Sequence, residues 1–278
     1  VTAPPPGPGG EPLRDVIARH GLDARRSLGQ HFLLDLNLTA RIAGLAGELA
    51  GRHVIEVGPG PGGLTRALLA TAAASVTAIE IDPRAVAAIE DLRQGAPRLT
   101  LLAGDAMAID LAALTPAPRQ IVANLPYNVA TPLLVRWLRQ AAAWERLTLM
   151  FQLEVAERIC AAPGSDAYGR LAVLAQWTCD ASVLLRIPPG AFWPPPKVVS
   201  AVVGLIPHAS QPPPALFATM ERLTAAAFGQ RRKMLRGALR GLGGEALLDQ
   251  AGIAADRRAE TLSIAEFDRL ARLLVAAT

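Results

Sequence analysis

Cysteine is almost missing from this 278-residue chain, and the two that occur, Cys160 and Cys179, have neither metal-ligand spacing nor a redox motif. No metal site is therefore expected, and the two thiols read as buried and free, in a reducing compartment. Lysine is equally scarce, at Lys197 and Lys233 alone, so arginine supplies nearly all of the 28 basic residues behind a net charge of +4. That excess admits an anionic partner, and the planar guanidinium fork suits phosphate and base edges. Although 51% of the chain is hydrophobic, no apolar run reaches the roughly 18 residues of a membrane span. The first residues, VTAPPPGPGGEP, lack a basic stretch followed by an apolar one. They read as a disordered Pro/Gly leader over 1–12 rather than a signal peptide, and a cytoplasmic location is expected.

What is present centres on 119–137, RQIVANLPYNVATPLLVRW. An apolar run, Ile121-Val122-Ala123, ends in Asn124-Leu125-Pro126-Tyr127. Pro126 fixes its own φ and biases Leu125 toward extended backbone, so neither strand nor helix simply continues. The amide oxygen of Asn124 can accept from an exocyclic amine, and the ring of Tyr127 can stack on a flat heterocycle. This pairing points to a nucleobase.

Around it the chain alternates. LRDVIARHG has helical spacing and ends at Gly21, and LNLTARIAGLAGEL is helical after a basic, glycine-containing link. From residue 52, HVIEVG, SVTAIEI, LTLLA, QIVAN and LTLMFQ are strand-length apolar runs separated by helical segments. The pattern predicts an α/β fold, an open parallel sheet whose ligands sit at the carboxyl ends of its strands. Gly58, Gly60 and Gly63 satisfy G-x-G-x-x-G after the first strand, which fits a dinucleotide, a nucleoside cofactor or only a tight turn. Glu80 closes the second strand about twenty residues on, where a carboxylate can accept from ribose hydroxyls. Asp105, after the third, fits either an adenine amino contact or a helix N-cap. Residues 180–206 read as two strands around a proline-rich loop, a hairpin that extends the sheet antiparallel. Within the loop, Phe192 is a second stacking face or a core plug, Trp193 is expected to pack, and Lys197 is placed to meet phosphate. Beyond Pro207 the alternation stops, and a small helical region follows. There QRRKMLRGALRGL reads as a helix with Arg232, Arg236 and Arg240 on one face and Arg231 and Lys233 flanking.

Eight segments in order carry a resemblance: SLGQHFLLD (27–35), EVGPGPGGLT (56–65), AIEID (78–82), GDAM (104–107), NLPYN (124–128), QLEVAERICAAPGSDAYGRLAVL (152–174), IPPGAFWPPPKVVSAVV (187–203) and FGQRRKMLRGAL (228–239). From about Arg25 onward the chain resembles the small-subunit ribosomal RNA adenine dimethyltransferase family. The resemblance implies a Rossmann-like S-adenosylmethionine-dependent methyltransferase domain over 13–207 and a helical RNA-binding domain over 208–278. It implies Gly58 under the methionine part of the cofactor, with Gly60 in the same loop, Glu80 on its ribose and Asp105 on its adenine. His31 and Leu33 would close the pocket, and Asn124 would stand between cofactor and target. The family often has asparagine where this chain has His31, so that contact is expected from backbone or imidazole.

The implied activity is N6,N6-dimethylation of two adjacent adenines near the 3′ end of small-subunit RNA. The implied partners are that RNA and the assembling small subunit, and a monomer is the default. Three other readings compete: the same chemistry on large-subunit RNA, an RNA-binding assembly factor of this fold, and a dinucleotide oxidoreductase. Nothing beyond the glycine loop and Glu80 supports the last.

Overall fold

In the computed structural model, which describes residues 10–22, 31–230 and 233–277, helix α1 (Leu13–Arg19) comes first. Gly21, at φ +56°, ends it, and the Leu22 N–H donates back to the Ile17 carbonyl at 2.9 Å. Left-handed glycine makes that cap possible. A two-residue strand, β1 (Phe32–Leu33), leads to α2 (Leu36–Leu45), whose first N–H groups donate to the Asp35 carboxylate. The alternation read from apolar spacing follows: β2 (His53–Val57), α3 (Gly63–Leu69), β3 (Ser75–Glu80), α4 (Pro83–Arg93), β4 (Leu99–Ala103), β5 (Arg119–Asn124), α5 (Tyr127–Leu138) and β6 (Arg146–Gln152). Next come α6 (Leu153–Ile159), α7 (Arg170–Thr178), β7 (Cys179–Ile187), β8 (Phe192–Trp193) and β9 (Ser200–Pro207). Four helices close the chain: α8 (Pro214–Phe228), α9 (Leu235–Ala238), α10 (Gly244–Ala251) and α11 (Ile264–Ala276).

The main sheet has seven strands in the order β4-β3-β2-β5-β6-β9-β7. Pairing is parallel from β4 through β6 and antiparallel between β6 and β9. This is the expected mostly parallel sheet with an antiparallel hairpin at one edge. The inner strands are buried on both faces, which is why they read as unbroken apolar runs. From β2 the chain winds outward to β4, then returns to the other side of β2 as β5. Strand order therefore reverses between β2 and β5, and a crevice opens beyond their carboxyl ends.

β1 and β8 form a separate two-stranded antiparallel sheet, with Phe32 opposite Trp193 and Leu33 opposite Phe192. Two residues per strand are too few for periodicity to show, so the sequence did not announce it. The sheet lies tight against the glycine loop. A Cβ on Gly63 would fall 2.8 Å from the Leu33 carbonyl oxygen, and one on Gly60 would fall 2.9 Å from the Phe32 ring. On the other side, Phe32 packs with Val16, Ile17 and Leu22 against Ala85 and Ala88 of α4.

By contacts the chain divides into two units, one of residues 1–134, 143–153 and 182–206, the other of 135–142, 154–181 and 207–278. A linear boundary near 207 leaves out the two earlier segments that the helical unit includes. Burial explains their place: six of the nine residues of α7 are buried, and α7 packs on α8 and α11. Within this unit Phe228 stacks on Phe267 at 5.6 Å between ring centres and meets Tyr168 edge-on at 6.0 Å. Among the described residues, no helix is long and apolar enough to cross a membrane. Both cysteines are free, Cys179 buried and Cys160 half-buried.

The expected arginine helix is corrected here. α8 gives way at Gly229, Met234 is extended at ψ 153°, α9 spans four residues, and Arg240 begins a separate 3-10 turn that ends at Gly243, φ +108°. Arg236 and Arg240 thus sit on different short elements, while Arg231 and Arg232 lie outside the described residues. Glycine at 229, 237, 241 and 243 interrupts what four-residue spacing alone suggests.

Gly63→Ala should lower stability by about 1–3 kcal/mol through overpacking against the Leu33 carbonyl. A urea titration checks this, with Gly95→Ala, where an added methyl meets nothing within 4 Å, as the near-neutral control.

Candidate active site

Beyond the carboxyl ends of β2, β3, β4 and β5 the first unit encloses a cavity of about 240 Å³. Around it lie all seven residues read from sequence as cofactor contacts: His31, Leu33, Gly58, Gly60, Glu80, Asp105 and Asn124. Leu125, Pro126 and Tyr127 line the same space.

The glycine loop is shaped by backbone and by acid. Gly58, Gly60 and Gly62 have φ of +71°, +55° and +88°, values that only glycine adopts readily. Glu80, almost fully buried, braces the loop from below. Its Oε2 accepts from the Gly60 N–H at 3.2 Å, while Oε1 accepts from the N–H groups of Ile81 and Asp82 at 2.8 and 2.9 Å. Burial pushes the Glu80 carboxyl up, and these three bonds hold it back.

Glu56, on the last turn of β2 into this loop, was not singled out by sequence reading. It lines the cavity at 1% exposure, and its Oε2 has no hydrogen-bond partner among the described residues. Burial pushes it up to about 8; the neighbouring Thr65 hydroxyl counteracts this and the Glu80 charge adds to it. An acid in the middle of an apolar strand run was the available signal. The cavity therefore presents two buried carboxyls, one satisfied by backbone and one with an open oxygen.

At the end of β5, the Asn124 side chain donates through Nδ2 to the backbone carbonyl of His31 at 3.1 Å. The bond sets the amide's orientation and leaves Oδ1 without a partner among the described residues. His31 is held in turn, because its Nδ1 lies 2.8 Å from the Pro194 carbonyl. A carbonyl only accepts, so Nδ1 carries the hydrogen. The His31 ring lies 5.4 Å from that of Tyr127, tilted by 32°. The Tyr127 hydroxyl is 2.5 Å from Ser200 Oγ on β9, which fixes the ring's position, and burial pushes its pKa up. Pro126 packs beside Gly58, its Cδ 3.5 Å from where a Cβ would stand.

One aromatic expectation is reversed, and the other falls on its core-plug alternative. Phe192 does not line the cavity as a second stacking face; at 4% exposure it is part of a hydrophobic core cluster with Leu33, Met150 and Val202. Pairing of β8 with β1 turns Phe192 inward and its neighbour Trp193 outward, so Trp193, expected to pack, is 39% exposed. Asp105 caps a turn rather than a helix, its Oδ1 accepting from the Met107 N–H at 2.8 Å, and the residue is exposed in the cavity lining. Ile81, next to Glu80, is another residue that went unread. It is 60% exposed beside the cavity, an apolar face suited to a planar ring. Lys197, Lys233, Arg236 and Arg240 are exposed and lie outside the cavity lining. Arg236 stands 3.9 Å from Glu245.

The model of one protein family, ribosomal RNA adenine dimethylase, matches residues 21–275. A ribosomal RNA small subunit methyltransferase A from Gluconobacter oxydans is 67% identical over 95% of this chain and 88% of its own length. A protein of the same name from Paramagnetospirillum magneticum is 58% identical over 96% of each chain. Among solved structures, a dimethyladenosine transferase from Plasmodium falciparum is similar with a TM-score of 0.72 at 26% identity, covering 86% of this chain and 96% of its own. The 23S rRNA methyltransferase ErmE follows at 0.67 and 28%, covering 88% and 99%. With a match that spans nearly the whole chain, and with glycine loop, acids and Asn-Leu-Pro-Tyr gathered at one crevice, the protein belongs to the ribosomal RNA adenine dimethylase family.

Proposed function

We propose that the chain dimethylates the N6 amine of two adjacent adenines near the 3′ end of small-subunit ribosomal RNA, with S-adenosylmethionine as donor. The observation that carries the reading is the Asn124 amide, tied back through Nδ2 with Oδ1 left to accept. The donor fits the cavity's chemistry, since the open oxygen of Glu56 suits a cationic ligand. In this reading Glu56 faces its ammonium, Gly58 and Gly60 approach its methionine part, Glu80 and Asp105 serve ribose and adenine, and Ile81 covers the purine. When bound, it supplies an electrophilic methyl group on a sulfonium.

An adenine amine is a weak nucleophile because its lone pair is delocalised into the ring. Asn124 Oδ1 and the Leu125 carbonyl accept its two hydrogens, which favours a pyramidal nitrogen with its lone pair free. The Tyr127 ring, immobilised through Ser200, stacks on the extruded base and orients it. Orientation in a water-poor pocket accounts for most of the acceleration, and the amine's proton departs once the nitrogen is cationic. Lys197, Arg231, Arg232, Lys233, Arg236 and Arg240 meet RNA phosphates. The substrate is an assembling small subunit, and the enzyme works as a cytoplasmic monomer.

The similarity to ErmE favours a second reading, adenine methylation of large-subunit RNA. Primer-extension mapping of methylated adenines in both subunits of a strain lacking the enzyme, before and after its return, decides between them. Sites restored only in the large subunit would overturn the first reading.

Asn124→Ala should slow methyl transfer to small-subunit RNA by about 100-fold or more. Cofactor affinity by calorimetry should change little; its parallel collapse would contradict the division of roles.

Glu56 links binding and stability to pH. Folding raises this acid from 4.5 to about 8. The stability it contributes is therefore complete below 4.5 and is lost as pH rises through about 8. A cationic ligand prefers the ionised form, so cofactor affinity should climb by up to about tenfold per pH unit below the Glu56 pKa and level off above it. Glu56→Gln should flatten that calorimetric profile.

A further inference from the structure

We propose that Trp193 and Lys197 form a landing platform for the nucleotide next to the target adenine, the indole stacking on its base and the ammonium meeting its phosphate. The inference rests on the RNA-methylating role above and adds a surface to it.

Trp193 is anomalous among the tryptophans. Trp137 and Trp144 are buried, and Trp177 donates to Asp268 at 3.0 Å, whereas Trp193 is 39% exposed with no hydrogen-bond partner among the described residues. It is also held in place. Its strand β8 pairs with β1, whose Phe32 and Leu33 line the cavity, and the next residue, Pro194, accepts from the His31 imidazole. An exposed ring is thus fixed to the cavity's own wall. Proline at 194, 195 and 196 restricts the backbone between Trp193 and Lys197. Lys197 is exposed, has no acidic partner among the described residues, and is followed by Val198 at 42% exposure.

A purely apolar patch would suit a protein surface, but an exposed cation with no acidic partner among the described residues, four residues along the same proline-stiffened loop from an exposed indole, favours an anionic, aromatic occupant. Single-stranded RNA is that occupant. A base extruded into the cavity leaves its neighbours unstacked, and base stacking on an aromatic side chain is tolerant of sequence. Trp193 would recover that lost stacking, and Lys197 would neutralise one phosphate.

The test uses a short single-stranded RNA with two adjacent adenines and 2-aminopurine at the flanking position. Wild-type protein should quench the 2-aminopurine. Trp193→Ala should abolish the quench and weaken RNA binding about tenfold, with cofactor affinity and melting temperature unchanged. Trp193→Phe should restore most of both. Lys197→Met should reduce the slope of log affinity against log salt by about 0.7. Unchanged quench and affinity in folded Trp193→Ala, with wild type binding normally, would overturn the platform alone. Failure of wild type to bind or methylate any adenine RNA while still binding cofactor would overturn the RNA reading, and the platform with it.

Discussion

One hydrogen bond, from the Asn124 amide to the His31 carbonyl, joins positions 93 residues apart and gives the site its polarity. Without it the amide could present either its donor or its acceptor to a ligand. With one Nδ2 hydrogen tied, the orientation of the amide is set and Oδ1 is left to accept, and an acceptor is what an amine requires. The bond is possible because β5 ends at Asn124 while β1 lies across the glycine loop. That close approach depends on Gly63, where the Leu33 carbonyl leaves no room for a side chain. Loop, strand and amide are in this sense one construction.

The sheet was legible because its strands are buried on both faces, and their apolar runs are separated by helices with clear 3.6-residue spacing. The cavity residues were legible for a related reason: in such a sheet, functional side chains collect where strands end. Glu80, Asp105 and Asn124 all follow that rule. What escaped was set by contacts remote in sequence. Nothing local distinguishes Phe192 from Trp193; only the pairing of β8 with β1 decides which ring turns inward. The four-residue arginine spacing was misleading because glycines and an extended Met234 break the helix it presumes. Segment 154–181 belongs with the C-terminal helices through the burial of α7, which its position before β7 conceals.

Glu56 belongs to a third category, a residue whose significance lies in what it lacks. An acid within an apolar run could have been matched by a buried cation, as interior charges commonly are. Here the charge that acts on it is that of another acid, Glu80, which raises its pKa further, and Oε2 has no partner among the described residues. The glycine loop thus encloses an electrostatic deficit, which distinguishes this crevice from a glycine turn that merely reverses the chain.

The small sheet of β1 and β8 has a consequence for how the cavity rim moves. Two links cross it, the β1–β8 pairing and the His31 bond to Pro194, and a third, from Tyr127 to Ser200, anchors the far end of the proline loop. Each alone is weak, but the first two join the contiguous residues 31–33 and 192–194, and the Tyr127 ring lies 5.4 Å from that of His31, so loosening one loosens the next. A proline loop that would otherwise fluctuate as a hinge becomes part of a single cooperative opening unit with the pocket wall. The rim then behaves less like a lid than like a hem, sewn at three points to the sheet it borders.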